Sequence, residues 1–156
     1  MEELSQLEIM KKYKTLGSRI AVLYRMDRNF YAKKLSEYGL GTSDLAVLLQ
    51  ISYFNELSQD QISTNIIIDK TSISKITKKL LNIGYIYMVR DKNDKRVHRL
   101  GLTLKGQKVI PVLKKVTKEW IEILVKGFKE EEVEMVCSIL DKIIENVSEY
   151  QVVEQD

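Results

Sequence analysis

The chain has 156 residues, 44% hydrophobic and 30% charged, with a net charge of +3. That is enough for one packed domain, or one domain with an accessory helical part, without a disulfide or a metal to hold it. One cysteine excludes an internal disulfide and fits a reducing compartment; no apolar run reaches the ~18 residues of a membrane span, and the acidic start MEELSQLEIM has no signal-peptide pattern, so the composition reads as a cytoplasmic protein with no membrane partner.

The first predicted element is a long helix over 7–38. Leu16, Ile20, Leu23, Asp27 and Phe30 recur at spacings of three and four, and Gly39-Leu40-Gly41 stops it. Thr42 or Ser43 caps a second helix that runs to about Asn55, and Ser58 caps a short third one, QDQISTNI. Asp69 caps a fourth, Lys70 to Ile83, which Gly84 ends. The runs YIYMV and VHRLGL are β-rich and flank a charged tip, so they read as a hairpin. Thr103 caps a fifth helix to about Lys126. A kink is expected in it between Gln107 and Pro111, because proline removes a backbone donor and crowds the preceding turn. Gly127 separates it from a last helix, Glu130 to Val147, with three glutamates in the first turn, where they suit the helix dipole.

Charge is distributed unevenly along these elements. From Asp69 to Arg99 nine Lys and Arg stand against three Asp, whereas from Lys129 to Asp156 nine acids stand against two lysines. A basic middle beside an acidic end points to a polyanion as partner of the middle alone. On a helical wheel of Lys70 to Ile83, Ile73, Ile76, Leu80 and Ile83 share one face. Thr71, Ser74, Lys75, Lys78 and Asn82 share the opposite one, with Ser72 and Lys79 beside them, and no acid occurs between Lys70 and Tyr87. Short hydroxyl side chains let a helix approach base edges, and lysines neutralise phosphates or reach guanine acceptors. A solvated helix that happens to lack acids is the alternative.

The hairpin tip bears on that choice. Arg90 to Arg99 holds five cations and two carboxylates, too basic for a plain polar turn. Lys92, Lys95 and Arg96 are candidates to meet DNA, Arg96 in the narrow, negative minor groove. Asp94, two residues before Arg96, can hold it in shape, and Arg90 and Asp94 are expected to structure the tip. Short helices followed by a hairpin make a mainly α, winged helix-turn-helix chain with a small β-hairpin wing.

The stretches DKTSISKITKKLLNIGYIYMVRDKNDKR and LGLTLKG resemble the MarR family of winged-helix transcription regulators, in three ordered motifs. These are Asp69-Lys70-Thr71 with Leu80-x-x-x-Gly84, then Arg90-Asp91-x-x-Asp94-x-Arg96, then Leu102-Thr103-x-x-Gly106. The resemblance implies a homodimer on a pseudopalindromic operator. Residues 42–102 would be the DNA-binding part, and 1–40 with 103–156 the helical dimerisation part. Thr71, Ser72, Ser74, Lys75 and Lys78 would face duplex DNA, Lys79, Lys92 and Lys95 would extend the basic surface, and Arg96 would be the minor-groove arginine. The family often has glycine between the third and fourth helices where this chain has Ile67. A β-branched residue in the left-handed region costs ~1–2 kcal/mol, so a different backbone path is expected there.

Other features point less far. Tyr13, Tyr24, Phe30, Tyr31 and Tyr38 lie on the first helix; Tyr24, Phe30 and Tyr31 are candidates to line an effector cleft of the kind the resemblance implies, for a small aromatic or anionic molecule, with plain dimer core as the alternative. Cys137, among Val133, Val136, Ile139 and Leu140, reads as a small buried apolar side chain; the oxidant-sensing cysteine some relatives carry in the first helix has no counterpart. His98 has no His or Cys beside it to share a metal, and no catalytic constellation or phosphate loop occurs, so neither an enzyme nor a cofactor is expected. The reading is a transcriptional regulator, a repressor released by an effector. The alternative is an architectural or adaptor winged-helix protein with none.

Overall fold

The computed structural model describes residues 6–153, and side chains over 16–150; Tyr13 falls outside the described side chains. In chain order the elements are α1 (Gln6–Leu35), a single 3-10 turn (Ser36–Tyr38), α2 (Thr42–Phe54), α3 (Gln59–Ile66), α4 (Lys70–Asn82), β1 (Ile86–Arg90), β2 (His98–Leu102), α5 (Leu104–Leu124) and α6 (Glu130–Val153). The chain divides into two compact units after Thr117.

In the first unit, α2, α3 and α4 pack with the hairpin around Leu48, Ile51, Ile62, Ile73, Leu80 and Leu100, all fully buried. β1 and β2 are antiparallel, in register from Ile86 opposite Leu102 to Arg90 opposite His98. Leu57, between α2 and α3, adds a bridge to this sheet: its N–H donates to the Leu100 carbonyl at 3.2 Å and its carbonyl accepts from Leu100 N–H at 2.8 Å.

Local chemistry sets the ends of these elements. Ser58 and Gln61 cap α3 reciprocally, the Gln61 N–H donating to Ser58 Oγ at 3.2 Å and the Ser58 N–H to Gln61 Oε1 at 3.0 Å. Asp69 caps α4 by accepting the Ser72 N–H at 2.8 Å, and the Ser72 hydroxyl, then that N–H, hold its carboxyl below the usual range. Thr103 Oγ1 accepts the Gly106 N–H at 3.0 Å at the head of α5. The cap of α2 differs from expectation. Gly41, not Thr42 or Ser43, is the N-cap, and the Asp44 carboxylate reaches back to its N–H at 2.8 Å. α5 continues on both sides of Pro111, and α6 extends to Val153, six residues beyond the expected Val147.

Ile67 overturns the expectation of a different path between α3 and α4. It does adopt the left-handed conformation, with φ 51° and ψ 54°. Its N–H and that of Ile68 both donate to the Ser63 carbonyl, and Ser63 Oγ donates to the Ile68 carbonyl. These bonds hold the turn while the Ile67 side chain, 65% exposed, packs on little. Relief of backbone strain therefore outweighs lost contact, and Ile67→Gly should stabilise the protein by about 1 kcal/mol. A urea midpoint that falls, measured at fixed protein concentration, would contradict this.

The second unit holds the end of α5 from Lys118 and all of α6. Apolar residues line α6 at helical spacing, and Val136, Leu140, Ile144, Val147 and Tyr150 are all exposed. Cys137 is exposed beside them, which corrects the buried reading: it belongs to an apolar stripe whose residues are themselves exposed. In α1 of the first unit, Leu16, Ile20 and Leu23 are exposed likewise.

Candidate nucleic-acid interface

α4 turns Ile73, Thr77 and Leu80 inward. Thr77 is satisfied there, its hydroxyl donating to the Ile73 carbonyl at 2.7 Å. Ile76 and Ile83 are half-buried, as is Ser72, while Thr71, Ser74, Lys75, Lys78, Lys79 and Asn82 are exposed. The lysines fall into two kinds. Lys70 pairs with Asp60 at 3.1 Å. Lys79 pairs with Asp44, the carboxylate that caps α2 and is itself buried. Lys79 therefore anchors α4 to α2 rather than standing free for a ligand. Lys75 and Lys78 have no carboxylate partner among the described residues. They share their exposed face with the hydroxyls of Thr71 and Ser74.

In the wing, residues 90–98, Asp91 is the organising group. Its Oδ1 accepts the N–H groups of Asn93 at 2.7 Å and Asp94 at 3.0 Å, and its Oδ2 accepts Arg99 Nε at 2.6 Å. The Asp94 N–H, then the Arg99 guanidinium and the Asn93 N–H, depress its pKa to about 2. A carboxyl depressed in the folded state stabilises it above the ordinary carboxylate pKa, and that contribution fades only as pH falls toward about 2. Asp94 grips Arg96 with both oxygens, at 3.1 Å to Nε and 3.2 Å to Nη2, while also accepting the Arg96 N–H at 3.0 Å. That leaves the arginine side chain 92% exposed yet held in shape. Lys92 and Lys95 are exposed on the same tip. Arg90 is exposed at the end of β1 and makes no ion pair among the described residues; the arginine that structures the wing with Asp91 is Arg99, which the charge count alone did not single out.

Of the aromatic candidates of α1, Phe30 and Tyr31 are in contact and Tyr24 stands apart from them. Tyr31 is buried, with its hydroxyl pKa raised chiefly by that burial, and Phe30 meets it edge to face at 5.5 Å. Tyr24 is exposed instead, and lines a small cleft of about 240 Å³ with Arg25, Arg28, Asn29 and Thr42. A larger open cleft of about 660 Å³ lies between the end of α2, the base of the hairpin and α5, lined by Phe54, Glu56, Tyr87, Ile110 and Pro111 among others. Sequence periodicity carries no signal for it, because its walls come from three distant segments.

Residues 29–113 match the SarA/Rot family of transcriptional regulators. The chain is 30% identical over 89 residues to the uncharacterized HTH-type transcriptional regulator YybA of Bacillus subtilis, an alignment that covers 57% of this chain and 59% of that one. In structure it is similar to a MarR transcriptional regulator from Methanosarcina mazei, at 31% identity and a TM-score of 0.76 over 87% of this chain and 98% of that one. A mutant MarR from Escherichia coli complexed with operator DNA has the same fold, at 18% identity and a TM-score of 0.76 over 86% of this chain and 96% of the other.

Proposed function

The chain belongs to the SarA/Rot family of transcriptional regulators, of the MarR winged-helix type, and is a DNA-binding regulator; from that premise we propose that it acts as a homodimeric repressor on a pseudopalindromic operator. α4 enters the major groove with Thr71, Ser72, Ser74, Lys75 and Lys78 toward the bases and phosphates. The wing lays Lys92, Lys95 and Arg96 along the adjacent backbone and minor groove. α1 with α5 and α6 forms the dimerisation part.

The observation that carries this reading is the pairing pattern on α4. Its flanking lysines are held by Asp60 and Asp44, and Lys75 and Lys78, in the middle of the hydroxyl face, have no acid to hold them among the described residues. The operator complex of a fold neighbour supports duplex DNA as the ligand. The uncovered apolar stripes on α1 and α6 support a second copy of the chain, since exposed apolar surface of this extent marks an association site. Release by a small aromatic or anionic effector completes the proposal. The small cleft offers such a molecule the cations of Arg25 and Arg28, the latter lying over the Tyr24 ring at 5.8 Å, and loss of operator affinity when the molecule is added is the test.

Selection of bound sequences from random duplex DNA tests the central claim. It should enrich an imperfect palindrome with half-site centres ~10 bp apart, matching the two-fold protein. If about six phosphates are neutralised, log affinity should fall against log salt with a slope of about −5. A slope near zero, or no enriched motif, would remove the basic surface as the contact. The same selection separates α4 from the wing. Lys75→Ala should relax preference at particular positions inside each half-site, by about 1–3 kcal/mol where it reads a base. Arg96→Ala should weaken binding to many sequences alike and spare the half-site consensus, because the minor groove carries little base code. A rewritten consensus in Arg96→Ala with an unchanged one in Lys75→Ala would reverse the two roles.

A further inference from the structure

We infer that Arg99 is a positioning residue for DNA binding: it ties the base of the wing to the cap of α3 and so aims Arg96. Its guanidinium bridges two acceptors on different elements. Nε donates to Asp91 Oδ2 at 2.6 Å, and Nη1 donates to Gln61 Oε1 at 2.9 Å. Gln61 Oε1 is the same atom that accepts the Ser58 N–H at the head of α3. From Asp91 the chain of bonds continues through the backbone of Asp94 to the Asp94 carboxylate, and from there to the Arg96 guanidinium. A two-stranded hairpin is marginal by itself in water; the Leu57 bridge, the buried Leu100 and the Tyr87–Glu56 hydrogen bond hold this one toward its α5 end, and Arg99 adds a tie nearer the tip. The Arg99 strut directs the tip from a helix cap. Its guanidinium is turned toward its partners, its side chain 31% exposed beside an Asp91 side chain 13% exposed, whereas Arg96 is nearly all in solvent. Arg99 thus acts through Arg96 rather than on DNA directly. A wing already aimed loses less freedom when DNA binds.

This inference rests on the wing contact proposed above, and a double-mutant cycle keeps the two apart. Arg99→Met, Arg96→Ala, the double variant and the parent are titrated against the duplex enriched by the parent, over a range of salt. Arg99→Met should weaken binding by about tenfold or less, the scale of one ordered side chain. In the Arg96→Ala background the same change should cost less than about twofold and leave the salt slope alone. Additive losses, or a slope reduced by about 0.9 in that background as for a lost phosphate contact, would make Arg99 a direct contact and overturn the inference. If Arg96→Ala binds like the parent, the wing contact itself is wrong and the inference falls with it. Gln61→Met cuts the strut from its other end without changing charge. It should reproduce the coupling to Arg96, and a full, uncoupled effect would count against the strut. Thermal melts of Arg99→Met should fall by only a few degrees with loss of the Asp91 pair, which leaves the variant folded at the titration temperature and excludes unfolding as the cause of its loss.

Discussion

Leu140→Glu should turn the proposed dimer into a monomer and lower operator affinity by about 10²–10⁴-fold, the gain that linking two binding modules ordinarily brings. Leu140 lies in the middle of the α6 stripe with Val136, Ile144 and Val147, and 46% of it is exposed in the single chain. Glutamate is a good helix former, so α6 should persist. The carboxylate would instead have to be desolvated at a contact between copies, which costs several kcal/mol per ion. Ser138→Glu is the control. It adds the same charge on the opposite side of the same helix and should leave assembly and binding as they were. Light scattering behind a sizing column reads the outcome directly, as a drop from twice to once the 18.2 kDa chain mass. A parent that already runs at the single-chain mass, or a Leu140→Glu protein that stays at the double mass with full affinity, would remove this face from the interface.

The fold was most legible where the chemistry is local. Ser58, Asp69 and Thr103 cap the helices that follow them, and the grip of Asp94 on Arg96 spans two residues, so spacing along the chain was enough to find them. Contacts between distant segments were not legible. Asp44 and Lys79 are 35 residues apart, and Gln61 and Arg99 are 38 apart. Nothing in the charge count distinguishes a lysine paired across the fold, such as Lys79, from an exposed one with no acid beside it among the described residues, such as Lys75, or Arg99 from Arg90. Ile67 shows the limit of a local rule. The steric argument against a β-branched residue in the left-handed region is sound, but two backbone donors converging on Ser63 outweigh it. Cys137 shows another limit. Apolar periodicity marks a face suited to burial, not what would cover it, and Cys137 on that face is exposed. Likewise Tyr24 and Tyr31 are both aromatic positions of α1, yet one is exposed and the other buried, because the helix presents them to different neighbours.

Gly106→Ala should destabilise the first unit by about 3 kcal/mol or more, at the upper end of overpacking costs. Two effects oppose each other at this position. Gly106 is inside α5, where alanine would gain about 1 kcal/mol in helix propensity. Its Cβ, however, would stand 2.0 Å from the Tyr85 carbonyl oxygen and 3.2 Å from a Leu102 methyl. The same Tyr85 oxygen accepts the Thr103 N–H at 3.1 Å, so it is held at the junction of β1 with the head of α5 and cannot swing away. The clash is with backbone, and no truncation of a side chain should relieve it. Gly101 provides the contrast. A Cβ there would meet the ring of Tyr87 at 2.3 Å, and that ring ends a movable side chain whose hydroxyl donates to Glu56 at 2.9 Å. Gly101→Ala should therefore recover much of its lost stability when combined with Tyr87→Val, whereas Gly106→Ala should recover nothing from Leu102→Ala. Urea denaturation of the four variants separates the cases, and a Gly106→Ala protein as stable as the parent would mean that α5 does not pack this closely on the base of the wing.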